Sequence, residues 1–108
     1  MDRTTAVLDV VAGRLTGVAL LPNHPNPFNA ETTMRFALEE DAQVRLVVYN
    51  GPGQAVRSLV EGPRPTGVHT VVWDGRDDDS RDMASGIYFG RLEVDGRCAA
   101  ARQMALVR

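Results

Sequence analysis

The sequence predicts an all-β fold, an antiparallel sandwich of about seven strands in one domain, and three observations carry that reading. Apolar residues recur with period two, not at the 3.6-residue spacing of a helix. The apolar runs are short, and clusters of Gly, Pro, Asn and Asp separate them at intervals of roughly 8–12 residues. At 108 residues, 44% apolar and 24% charged, the chain has the length and composition of a single globular domain.

Residues 15–21 are apolar enough for a first strand, which Pro22-Asn23-His24-Pro25-Asn26-Pro27 stops. Prolines at 22, 25 and 27 exclude a helix or a central strand, so this is a stiff extended connection. Pro27 sets its path and Phe28 is expected to plug the sandwich edge. Residues 32–38 resume as a strand, with Thr32, Met34, Phe36 and Leu38 alternating against Thr33, Arg35 and Ala37. Residues 43–49 put Val44, Leu46 and Val48 on one face, and Asn50-Gly51-Pro52-Gly53 reads as a hairpin turn. Residues 55–60 return, and Gly62-Pro63-Arg64-Pro65-Thr66-Gly67 breaks the chain. Residues 68–73 form a strong strand ending in Trp73, expected to be buried between the sheets on the face of Val71 and His69. A polar loop over 74–82 follows, residues 86–94 are the most hydrophobic strand, Asp95-Gly96 is a two-residue hairpin signal, and residues 97–107 close the fold. Over 99–108 local propensity favours helix. The preceding hairpin signal and the alternation of Ala100, Arg102, Met104 and Leu106 favour a strand instead. Seven strands with this turn spacing form the pattern of an immunoglobulin-like antiparallel β-sandwich. Residues 1–17 fall outside the count, as an N-terminal extension, linker or extra edge strand, and 18–108 form the module.

A net charge of −2 offers no electrostatic basis for binding nucleic acid or an anionic membrane. All 12 basic residues are arginine, which removes Schiff-base and lysine general-base chemistry. The single cysteine, Cys98, excludes an intrachain disulfide and a thiolate metal site, and is expected to be a small buried hydrophobe. Asp9 interrupts the first apolar stretch, so the N-terminus does not read as a signal peptide, and no window approaches the ~18 apolar residues of a membrane span.

Several motifs, in order, resemble a known family. His24-Pro25-Asn26-Pro27-Phe28-Asn29 followed by Thr32-Thr33-Met34-Arg35-Phe36 looks like the family's opening. The likeness continues through Val44-Arg45-Leu46-Val47-Val48-Tyr49-Asn50 and Gly53-Gln54-Ala55-Val56-Arg57-Ser58-Leu59. It runs on through Gly67-Val68-His69-Thr70-Val71-Val72-Trp73-Asp74-Gly75 and Ala84-Ser85-Gly86-Ile87-Tyr88-Phe89 to the closing Gln103-Met104-Ala105-Leu106-Val107-Arg108. The chain resembles the type A C-terminal sorting domains of type IX secretion, which are similar to the immunoglobulin-like domain of the flagellar hook-capping protein. His24 stands where the family usually has Tyr, Ala30 replaces a Pro, Ser80 and Asp82 replace Gly and Pro, and Gly90 takes the place of an aromatic. The resemblance implies a non-enzymatic module of a longer exported protein, at the cell surface or outside the cell by way of the periplasm. Its partners would be proteins of the outer-membrane export machinery, with no membrane insertion and no cofactor.

The candidate sites follow from these motifs. Structural positions are Pro25, Asn26, Pro27, Phe28, Asn29, Trp73, Asp74, Gly75, Gly86 and Tyr88. The docking candidates are Gln103, Met104, Ala105, Leu106, Val107 and Arg108, a strand expected to lie at a sheet edge within reach of a receptor. Asp74, Asp77 and Asp79 could ligate calcium as hard oxygen donors on a turn. The EF-hand spacing fails there, because Arg76 and Arg81 intrude, and turn formation is the better account of the aspartates. His24 and His69 lack a carboxylate partner and a nucleophile, so no catalytic residue is expected. Trp73, Tyr49, Tyr88, Phe36 and Phe89 read as core. The alternatives to a sorting module are a structural subunit joined by edge-strand pairing, with residues 4–12 completing a neighbour's sheet, and a hook-capping-type scaffold domain.

Overall fold

Period-two alternation becomes strands with one face inward. The computed structural model describes residues 17–108 and contains seven: β1 (Val18–Leu20), β2 (Thr32–Leu38), β3 (Ala42–Asn50), β4 (Ala55–Arg64), β5 (Gly67–Trp73), β6 (Gly86–Val94) and β7 (Arg97–Leu106). The possible strand at residues 4–12 and most of the expected N-terminal extension lie outside the described residues. A three-stranded sheet ordered β1-β2-β5 faces a four-stranded sheet ordered β4-β3-β6-β7, and every strand pairing is antiparallel. This is the immunoglobulin-like β-sandwich. Its core interleaves Leu20, Met34, Phe36 and Trp73 of the first sheet with Leu46, Val48, Leu92 and Met104 of the second. Burial of this kind contributes about 25 cal/mol per Å² of apolar surface and supplies most of the fold's stabilisation.

The turns have their expected chemistry. Asp95 and Gly96 have φ of 51° and 83°, the paired left-handed conformation of a tight hairpin. Residues 99–108 are β-strand through Leu106, because Met104 and Leu106 are needed on the inner face.

Three expectations are corrected. Strand β4 does not stop at Val60 but runs through Gly62-Pro63 to Arg64. The Gln43 carbonyl accepts from Asp95 N, which turns the Gln43 backbone toward β6 and away from its β4 partner, Pro63. The proline nitrogen therefore faces the open side of an edge strand, where no ladder bond is lost. Cys98 is exposed, not buried. A bulge between Leu92 and Glu93 leaves Ala99 unpaired, so Cys98 opposes Glu93 on the outer face. Tyr49 and Phe89 pair across β3 and β6, half-buried on the outer face, so of the five strand aromatics expected in the core only Trp73, Phe36 and Tyr88 are there. Gly90 is the inner-face residue opposite Met34, and a Cβ there would meet the Met34 methyl. The flexible methionine side chain fills the volume that an aromatic would otherwise claim.

Candidate functional site

Three segments converge at one end of the sandwich: the proline-rich connection after β1, the aspartate loop after β5, and the end of β7. Gly17 lies at the other end, where its carbonyl accepts from Glu39 N.

The connection is pinned from within. Buried Asn23 donates through Nδ2 to Thr32 Oγ1 at 2.9 Å, and the Thr32 hydroxyl donates to the Pro25 carbonyl at 2.8 Å. The His24-Pro25 and Asn26-Pro27 peptides are both cis. This path lays Asn26-Pro27-Phe28 along the edge of β7. Asn26 Nδ2 donates to Gln103 O, and Asn26 Oδ1 accepts from Ala105 N at 3.0 Å, so one side-chain amide acts as a strand residue. Phe28 N donates to Ala105 O at 2.9 Å and Val107 N to Phe28 O at 2.8 Å, a short parallel ladder. The Phe28 ring then enters the core, 5.5 Å from the Trp73 ring and tilted to it. Pro25, Pro27 and Asn29 remain on the surface.

Residues 103–108 are consequently not a free edge. Asn26 and Phe28 already pair the backbone, Met104 and Leu106 are buried, and Gln103, Ala105, Val107 and Arg108 alone offer side chains to solvent. Arg108 is itself engaged: its Nε donates to Met83 O at 2.6 Å and its Nη2 to Gly75 O at 2.7 Å, while Ser85 Oγ accepts from its backbone N. Gly75 has φ of 74°, and a Cβ there would lie 2.8 Å from Arg108 Nη2, so glycine serves both the turn and the arginine.

The aspartate loop is an ordered cap. Asp74 Oδ1 accepts from Arg76 N and from Arg57 Nη1, both at 3.1 Å, and Trp73 Nε1 donates to Arg76 O at 2.9 Å. Asp77 Oδ1 accepts from Asp79 N and Arg81 N. The Arg81 amide, with that of Asp79 and the guanidiniums of Arg81 and Arg57, holds the Asp77 carboxyl below its usual range against the opposing cost of desolvation. Asp78 caps the free side of β4: its N donates to Val56 O and its Oδ1 accepts from Ser58 N. Arg81 reaches Asp79 at 2.9 Å, and Arg76 reaches Asp82 at 3.1 Å. Each aspartate of 74–82 thus meets an arginine or a backbone amide, and Asp74, Asp77 and Asp79 do not converge on a point. Among the described residues no group of three or more His, Cys, Asp or Glu side chains could hold a metal.

Tyr88 stacks edge-on against Trp73 at 5.2 Å and donates its hydroxyl to Ala84 O at 2.7 Å. This tyrosine near the start of a strand, bonded back to the preceding corner, is a recurring feature of immunoglobulin-like folds. Burial raises the Tyr88 hydroxyl pKa above 10.0, against a smaller opposing pull from Arg108. Gly86 opens the strand two residues earlier. His69 stacks on Phe36 and its Nε2 meets Pro65 O at 2.7 Å, while His24 is exposed on the connection. Sequence reasoning missed Asn23 and Thr32, and assigned Asn26 and Arg108 no partner. Three prolines interleaved with asparagines were the available signal, since such a strap must satisfy its backbone through side chains.

Comparisons with known proteins agree on this fold. PorU of Porphyromonas gingivalis, in its dimeric latent form, matches with a TM-score of 0.67 at 20% identity, over 86% of this chain and 10% of that one. PorZ of Porphyromonas gingivalis, described as an essential surface component of the type-IX secretion system, matches with a TM-score of 0.56 at 20% identity, over 90% of this chain and 12% of that one. Pseudomonas fluorescens alkylpurine DNA glycosylase AlkC, solved on DNA with an abasic-site analogue, gives 0.57 at 16% identity, over 97% of this chain and 34% of that one. The chain therefore spans a small part of each of these structures, and at such identity the likeness concerns the fold alone. No curated protein matches the sequence. Residues 25–96, from the proline-rich strap to the last hairpin, match the model of the FlgD Ig-like domain, and the chain belongs to that family.

Proposed function

We propose that this domain is a non-enzymatic sorting or anchoring module of an exported bacterial protein, recognised as a folded surface by outer-membrane export machinery. The observation that carries the reading is modularity. The fold fills 86% and 90% of this chain but about a tenth of PorU and PorZ, one of them a surface component of the type-IX secretion system. The site chemistry supports it. The convergent end is built from amide–carbonyl bonds, arginine–aspartate pairs and packed rings, with Asn26, Arg108 and each aspartate of the loop committed to structure. What remains for a receptor is shape and the exposed side chains of the strap, the aspartate loop and Gln103, Ala105 and Val107. This end lies opposite Gly17, so a cargo joined before β1 would leave it accessible.

The test fuses the chain to the C-terminus of an inert reporter that carries its own signal peptide, in a host with a type IX system. The expected result is reporter at the cell surface or in the medium. Deleting 103–108 is expected to abolish export mainly by unfolding, since Met104 and Leu106 are core. Gln103→Ala with Val107→Ser is the informative variant, because both side chains are exposed. A fusion that folds and stays in the periplasm would refute the sorting reading.

A further inference from the structure

The four edge strands are not protected alike. The lower half of β7 is paired by Asn26 and Phe28, and its upper half is tied to β1 where Arg102 Nε donates to Leu20 O. β1 is three residues long. β4 carries Pro63, bulges and the Asp78 cap. Each is a known device for blunting an edge. β5 has none. It is seven residues, Gly-Val-His-Thr-Val-Val-Trp, without charge, proline or bulge.

The direction of its free hydrogen-bonding groups follows from its neighbours. The carbonyls of Thr33 and Arg35 accept from His24 N and Leu21 N, and Glu39 N donates to Gly17 O, so odd-numbered residues of β2 face β1. The even-numbered residues face β5, making Met34–Val71 and Phe36–His69 the hydrogen-bonded pairs. The backbone groups of Val68, Thr70 and Val72 therefore point away from the sheet. Among the described residues nothing pairs with them. Val68 and Val72 are 57% and 44% exposed, among the most exposed large apolar side chains described.

We infer that the β5 edge is a self-association site, and that its occupant is β5 of a second copy of this chain, antiparallel about a two-fold axis at Thr70. The outward row Val-Thr-Val reads the same in both directions. In that register Thr70 opposes Thr70, each Val68 opposes a Val72, and every outward N–H and C=O finds a partner. Charge is compatible with this occupant: the row is neutral, and the nearest cation, Arg35 opposite Thr70, stays about three strand spacings, roughly 14 Å, from its mate. A seven-residue strand pair buries well under the roughly 1,200 Å² of a stable interface, so the dimer is weak and is populated only at high concentration or when tethered. The inference is independent of the export reading, because it concerns the domain alone.

The test is sedimentation velocity of the full chain from about 1 µM to about 1 mM, with amide exchange at both extremes. Concentration-dependent dimerisation with new protection at the Val68, Thr70 and Val72 amides is expected. Thr70→Lys places two ammonium groups across the axis and is expected to raise the dissociation constant at least tenfold, with a small fall in the monomer's melting temperature because Arg35 lies directly opposite on β2. Val72→Lys is the second variant, should Thr70→Lys fold poorly. A monomer at every concentration, a dimer indifferent to both lysines, or protection appearing at β4 or β7 would overturn the inference. Protection at β5 that does not depend on concentration would also overturn it, by assigning the edge to the chain's own residues 4–12.

Discussion

Replacing Trp73 by alanine tests the packing argument most directly. The side chain is 0% exposed, lies between Phe28 and Tyr88 at 5.5 and 5.2 Å, and donates Nε1–H to Arg76 O. Truncating a buried tryptophan costs about 3–5 kcal/mol. Two tilted ring contacts, each worth about 0.5–1.5 kcal/mol, place this residue in the upper half of that range. The lost hydrogen bond adds about 1 kcal/mol or less, because Arg76 is exposed and its carbonyl regains water. The expected loss is about 4–5 kcal/mol, much of the ~5–15 kcal/mol that holds a domain together. At a urea m-value of about 1.5 kcal/mol/M, the midpoint followed by circular dichroism falls by about 3 M. Trp73→Phe keeps one ring contact and is expected to cost less than half as much. A double-mutant cycle with Phe28→Leu is expected to show about 0.5–1.5 kcal/mol of coupling between strap and core. The reasoning fails if alanine costs under about 2 kcal/mol, or if phenylalanine costs as much as alanine.

Other perturbations separate the loop's roles. Ser80 has φ of 64°, a left-handed conformation that favours glycine, so Ser80→Gly is expected to stabilise by up to about 1 kcal/mol, seen as a rise of several degrees in Tm. About 5 mM calcium, which would saturate an extracellular-type site, is expected to leave Tm equal to that in chelator, and a rise of several degrees would make Asp74, Asp77 and Asp79 ligands after all. The Asp77 carboxyl is depressed below 3.8 in the fold, so its contribution is present above its unfolded pKa and is lost as pH falls through the folded value. Asp77→Asn is accordingly expected to lower Tm modestly at neutral pH, where the carboxylate's contribution is present, and to flatten the acid limb of a Tm-against-pH curve, the two proteins converging below about pH 4.

Strand identity was legible in the sequence because its signals are local. Alternation over residues 32–38 and 86–94 matches β2 and β6 end to end, Asp95-Gly96 is the predicted hairpin, and Trp73 is buried as its face-sharing with Val71 implied. Cys98 shows the limit: a bulge one residue away inverts which face a side chain takes, and no local signal announces it. The candidate site was half legible. The motif residues of the strap and the tryptophan corner are where expected, yet the docking strand turned out to be paired by Asn26, 77 and 79 positions away in sequence from Gln103 and Ala105.

From the sequence alone follow the fold class, the seven strands, the buried tryptophan and the turn chemistry, each a matter of side-chain period and backbone preference within a few residues. Tertiary structure decided which edges are open. An edge is closed by whatever else the chain lays beside it, and that is a long-range outcome: Phe28 against β7, Asp78 against β4, Arg108 under the aspartate loop, and nothing described against β5. Backbone hydrogen-bonding groups are common to every residue, so no composition or spacing reveals which of them the folded chain leaves unpaired.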